Sequence, residues 1–118
     1  MEPEKKQYDL EDRTYAFAAD VRGFIKDLPR TDANHEDIKQ VIRSSGSVAA
    51  NYIEANEALS KKDFLVRIKI CRKEAKESRL WLRLLETNSR AMEDGRAALV
   101  QEATELMSIF GAIVRKSE

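Results

Sequence analysis

Residues 60–89, SKKDFLVRIKICRKEAKESRLWLRLLETNS, decide the fold. Along them Phe64, Ile68, Cys71, Ala75, Ser78, Leu82 and Leu85 recur in an unbroken alternation of four and three. With 3.6 residues per turn, that spacing sets all seven on one face of an α-helix. Ser60-Lys61-Lys62-Asp63 opens the segment as a variant capping box, with Asp63 where Glu is usual. The pattern predicts one amphipathic helix over about 61–89.

The same period continues on both sides. Towards the N-terminus, Asn34 can cap a second helix over about 35–58, carrying Ile38, Val41, Ile42, Ser45, Val48, Ala49, Tyr52 and Ile53. Gly46 and the serines Ser44, Ser45 and Ser47 weaken it locally, and their small size lets a neighbouring helix come close. Leu10, Thr14, Phe17, Val21, Phe24 and Leu28 mark a first helix over about 9–28, capped by Asp9 and ended by Pro29. Towards the C-terminus, Glu93-Asp94-Gly95 is a turn signal. A fourth helix over about 96–116 carries Leu99, Val100, Ala103, Leu106, Met107, Phe110, Ile113 and Val114. Four amphipathic helices on short connections predict an all-α fold, an antiparallel up-down-up-down four-helix bundle occupying residues 1–118 as one domain.

Composition agrees. At 42% hydrophobic with no net charge, the chain lies far from the weakly apolar, highly charged regime of disorder. Four Gly and two Pro are too few for the many tight turns of an all-β fold. A single cysteine excludes an intramolecular disulfide framework and fits the reducing cytoplasm. Met1 to Leu10 is charged and polar, so no signal peptide is expected. No apolar run approaches a membrane span on this reading, and no membrane partner is expected. Twenty-one basic against twenty-one acidic residues exclude a uniformly basic coat for a polyanion.

Resolved by angle, the third helix has three faces. With Phe64 at zero, the seam lies within about 60° of it. Lys61, Lys62, Lys69, Arg72, Lys73, Lys76, Arg79 and Arg83 fall between about 60° and 180°. No acidic residue of 61–85 shares that arc, since Asp63, Glu74 and Glu77 lie elsewhere, off the seam. Such a stripe lacks most of the paired carboxylates that quiet a charged helix face. It is either a solvated face, an RNA-phosphate contact made by Lys62, Lys69, Arg72, Lys73, Lys76, Arg79 and Arg83, or a dock for an acidic protein. The remaining arc holds Val66, Ile70, Trp81 and Leu84. These four pack against a neighbouring helix or form an oligomer interface, with Trp81 as its anchor.

Catalytic chemistry is sparse. His35 stands beside the Asn34 cap in an exposed first turn, and Cys71 on the seam is a buried, inert thiol. Ser44 to Ser47 have no histidine partner for a hydrolase triad. Glu54/Glu57 and Glu74/Glu77 have the spacing of a carboxylate metal site but not its Glu-x-x-His pairs. The expectation is a protein that is not an enzyme, with no cofactor, no metal and no small-molecule substrate.

Three segments carry a resemblance: Ser44-Ser45-Gly46-Ser47-Val48-Ala49-Ala50-Asn51-Tyr52-Ile53-Glu54-Ala55, then Ser60-Lys61-Lys62-Asp63-Phe64, then Lys73-Glu74-Ala75-Lys76-Glu77-Ser78 with Trp81-Leu82-Arg83-Leu84-Leu85. With the opening Tyr8-Asp9-Leu10-Glu11-Asp12-Arg13, they resemble the bacterial four-helix-bundle proteins encoded in intervening sequences of 23S ribosomal RNA genes, over roughly residues 8–115. That family is in turn similar to the accessory protein of diversity-generating retroelements, a pentameric barrel that binds a reverse transcriptase and RNA. The resemblance implies a ring-shaped homopentamer, with Val66, Ile70, Trp81 and Leu84 at a subunit contact. It also implies a scaffold that holds RNA or a nucleic-acid-handling protein against basic helical faces.

Overall fold

The computed structural model describes residues 9–118. The charged opening stretch and Tyr8 lie outside the described residues. Four helices and no strand are found among the described residues: α1 (Leu10–Ile25), α2 (Asp32–Asn56), α3 (Lys61–Leu84) and α4 (Arg90–Ser117). Each helix packs on its sequence neighbours, and α1 closes against α4.

Pairs across the seams fix the directions. Between α2 and α3, Ser44 meets Ser78, Val48 meets Cys71 and Asn51 meets Arg67, so one number rises as the other falls. Arg79 reaches Thr104 while Lys69 reaches Glu118 across α3 and α4. Asn56 contacts Glu11, and Gly46 lies by Arg22. Arg13 joins Glu102, and Gly95 abuts Phe24. All four seams are antiparallel, as alternating up and down helices require.

The predicted periodicity supplies the core. Phe17, Val21, Val41, Val48, Ile68, Ala75, Leu82, Leu85, Ala103, Leu106 and Phe110 are buried in one continuous cluster. Tyr52 and Phe110 meet with ring centroids 6.2 Å apart, within the range of favourable aromatic pairs.

The connections differ from the sequence expectation. α2 begins at Asp32 because Thr31, in extended conformation, is its N-cap, its hydroxyl accepting from the Asn34 backbone N–H at 3.1 Å. The Asn34 side chain does other work. Its buried amide donates to the carbonyls of Pro29 and Glu86, both at 2.9 Å, and its oxygen accepts from the Glu86 backbone N–H at 2.8 Å. One side chain therefore ties the α1–α2 connection to the chain leaving α3. Asp9 stands at the start of α1, yet its side chain makes no capping hydrogen bond.

α3 ends at Leu84 rather than Ser89, as Leu85 turns extended. Arg96 then donates to the carbonyls of Arg83 and Leu85, placing a cation on the negative end of α3. α4 begins at Arg90, capped by Ser89. Glu93-Asp94-Gly95 is therefore no turn. It lies in the first two turns of α4, and a Cβ at Gly95 would stand 3.2 Å from a Phe24 ring carbon, so glycine permits the close α1–α4 approach.

The reading that no apolar run approaches a membrane span also needs correction. By length and composition α4 is apolar enough to cross a membrane. Its side chains Leu99, Ala103, Leu106, Phe110 and Val114 are instead buried in the bundle, where a core helix needs the same composition.

Candidate nucleic-acid interface

α3 is held between α2 and α4, and this position sorts its residues. Inward, Ile68, Cys71, Ala75, Ser78 and Leu82 are fully buried. Burial pushes the Cys71 thiol up to about 12, so it is not a thiolate nucleophile near neutrality. Small side chains bring α2 and α3 together: Ser44 Oγ donates to Ser78 Oγ at 2.8 Å, and Ser78 Oγ in turn donates to the Glu74 backbone carbonyl at 2.9 Å.

The flank towards α2 carries the acids. Arg43 reaches Glu74 at 3.5 Å and Glu77 at 3.1 Å. Glu74 is buried, although the angular count puts it off the seam, because the width of α2 extends the covered arc. Arg43 is thus a residue that periodicity overlooks. The cue in the sequence was the Glu74/Glu77 pair at i, i+3, which presents two carboxylates to one cation. Arg67 donates to Asn51 at 3.0 Å on the same side.

The flank towards α4 carries cations. Arg79 Nη1 donates to Thr104 Oγ1 at 3.4 Å, and Arg72 lies over Gly111. Both are half-buried, whereas Lys62, Lys69, Lys73, Lys76 and Arg83 are exposed. Lys69 has Glu118 at 3.7 Å and Lys73 has Glu74 at 3.6 Å. Among the described residues, Lys62, Arg72, Lys76, Arg79 and Arg83 have no carboxylate within ion-pair distance.

Four of the predicted cations converge. Lys73, Lys76, Arg79 and Arg83 line a shallow groove of about 400 Å³ with Glu77 and Leu80. Glu77 is the single acid there, and Arg43 holds it. Leu80, 46% exposed, is the apolar member that the charge reading left out. Its wheel angle of about 160° already put it inside the basic arc.

The four residues of the other apolar arc separate. Val66 and Leu84 are about half exposed. Ile70 is half-buried, and Trp81 is packed on the chain's own core with its indole N–H buried and without an acceptor among the described residues. A second groove is lined by Tyr15, Ala18, Ala19 and Arg22 of α1 with Gly46 of α2. Among the described residues, no three His, Cys, Asp or Glu side chains converge as metal ligands.

An all-α bundle with a charged outer helix defines a class of architecture rather than an activity. The family model for 23S rRNA-intervening sequence proteins matches residues 6–112. The chain belongs to that family. A crystal structure of a protein of unknown function from the S23 ribosomal protein family of Bacteroides thetaiotaomicron VPI-5482 is similar, with a TM-score of 0.74 and 28% identity. The likeness covers 88% of this chain and 96% of that one. No curated protein matches.

Proposed function

We propose that this protein is a non-catalytic, homo-oligomeric scaffold of the cytoplasm that binds RNA, free or within a ribonucleoprotein, through the outer face of α3. The observation that carries the reading is the convergence of Lys73, Lys76, Arg79 and Arg83 on one groove whose only carboxylate among the described residues is held by Arg43. Of the four, Lys76, Arg79 and Arg83 have no carboxylate within ion-pair distance among the described residues, and phosphates are anions that lysine and arginine position without reading sequence, with release of counterions as the driving term. Lys62, Lys69 and Arg72 extend the charge along the helix.

The pentameric state is carried over from the family resemblance. Val66 and Leu84, each about half exposed, are the members of the other apolar arc left available for a contact between copies. Trp81 contributes less as an anchor because its own core already covers it.

Fluorescence titration of labelled structured RNA at several salt concentrations tests the RNA reading. Binding at low salt that weakens steeply with salt is expected, with loss when Lys69→Glu, Lys76→Glu and Arg83→Glu are combined. No binding at low salt, or binding indifferent to the triple reversal, would sink it. Light scattering tests the assembly, for which the mass of a single chain is the contrary result.

A protein–protein scaffold is the second reading, and Leu80 is the observation that favours it. An exposed leucine among four cations suits an acidic amphipathic helix with an apolar anchor. In that case purification from the native host returns a protein and no RNA.

A further inference from the structure

We infer that the outer face of α3 takes double-helical RNA in preference to single strands, an inference that rests on the RNA-binding reading above. Three features of the face lead to it.

The first is missing aromatic surface. Flexible single strands are held by rings on which successive bases stack, and that stacking offsets the cost of ordering the strand. Tyr15 is the one aromatic residue that is mostly exposed among the described residues, at 71%, and it lies on α1 in the groove shared with Gly46. Trp81, the aromatic of α3 beyond Phe64, packs on the core. A surface that offers charge without stacking favours the partner with the higher phosphate density and the lower ordering cost. That partner is a duplex.

The second is rigidity and reach. Lys62 to Arg83 lie on one uninterrupted helix, which spreads their Cα atoms over about 31 Å at 1.5 Å per residue. Cations carried on one helix that is held between two neighbours complement a regular lattice of phosphates. α3 contains no Asn or Gln, so it lacks the side chains that pair with an adenine edge.

The third is shape. A helix that reads B-form DNA enters a major groove about 12 Å wide, little more than its own diameter. α3 is packed between α2 and α4, so only its outer side is free to meet a nucleic acid. It can lie across a surface. The A-form duplex offers a wide, shallow minor groove rimmed by phosphates, with ribose surface between them. Leu80 sits among Lys73, Lys76, Arg79 and Arg83 where such an apolar sugar face would meet it.

The experiment compares a 20-base-pair RNA duplex, a DNA duplex of equal length and a 20-nucleotide uridine strand, each titrated at low salt with the full-length protein. The expected result is RNA duplex tightest, at least tenfold over the uridine strand, with DNA duplex between them. Tyr15→Ala should leave all three affinities unchanged, and Lys76→Glu with Arg83→Glu should weaken the RNA duplex at least tenfold. Circular dichroism confirms that both variants remain helical. Uridine strand binding within threefold of the duplex, or DNA binding as tight as RNA, overturns the duplex inference while leaving RNA binding intact; loss of binding in Tyr15→Ala, or undiminished binding in the Lys76→Glu, Arg83→Glu variant, overturns the α3 site and with it both readings. Absence of binding to all three probes overturns both.

Discussion

Between α2 and α3, contact is made in the interior by small side chains. Ser44 and Ser78 share a hydrogen bond of 2.8 Å, and the Cys71 thiol points at the Val48 carbonyl at 3.6 Å. Between α1 and α4 it is made at the rim by charge. Arg13 donates to both Glu102 oxygens at 2.7 and 2.9 Å and to Glu105 at 2.7 Å, with about a third of its side chain exposed. Both seams carry ion pairs at the rim, Arg43 with Glu74 and Glu77 in the first and Arg13 with Glu102 and Glu105 in the second, but only the first adds a hydrogen bond between buried serines. The contrast explains how the bundle can hold α3 firmly, as the platform for its outer charges, while its first and last helices meet through fewer contacts.

The largest expected break in this contrast is Ser78→Leu. It overfills the α2–α3 seam and leaves the Ser44 hydroxyl without its acceptor, so stability should fall by about 2–4 kcal/mol in denaturant titration. A loss below about 1 kcal/mol would mean that the seam is looser than the serine contact implies.

Alkaline pH separates the seams next. Cys71 keeps its proton in the fold up to about 12, against an ordinary value of 9.0. Between those values the unfolded chain binds fewer protons than the native one, so stability falls as pH rises. The contribution is fully present below pH 9 and lost progressively towards pH 12. At pH 10 the wild type should have lost about 1.4 kcal/mol relative to a Cys71→Ala variant, measured as the change in their stability difference from pH 7. A difference that stays constant would show that the thiol is reached by solvent.

Arg13→Ala is the smallest expected effect, about 1 kcal/mol at low salt and diminishing in molar salt. The carboxyl of Glu105 is held below its usual range by the Gln101 and Arg13 hydrogen bonds, so acid should weaken this seam as that carboxylate is protonated. If Arg13→Ala costs the same at every salt concentration, the cluster acts by packing and the contrast with α2–α3 disappears.

Much of this was legible from periodicity. The seam residues Ile68, Cys71, Ala75, Ser78 and Leu82 are buried as their spacing requires, and the serines of α2 do bring a neighbouring helix close. Lys62, Lys69, Lys73, Lys76 and Arg83 are exposed on one side of α3, as their angles require. Local signals misled at the helix ends. Asn34 has the chemistry of a cap, yet Thr31 takes that role because the Asn34 amide pairs across 52 residues with Glu86. Gly95 has the chemistry of a turn, yet it is helical because Phe24 fills the space beside it. Neither partner is close enough in sequence for a local pattern to reveal it.

The sequence by itself determined which residues face inward, because a helix has one period and water excludes apolar surface from every helix in the same way. It also determined that the cations of α3 share an arc. Only the tertiary structure decided which of those cations stay unpaired. Pairing depends on what the neighbouring helices bring: Arg43 from α2 occupies Glu77, Glu118 from the end of α4 lies near Lys69, and Thr104 gives Arg79 an uncharged partner. Charge is a property of the chain, but a free charge is a property of its surroundings.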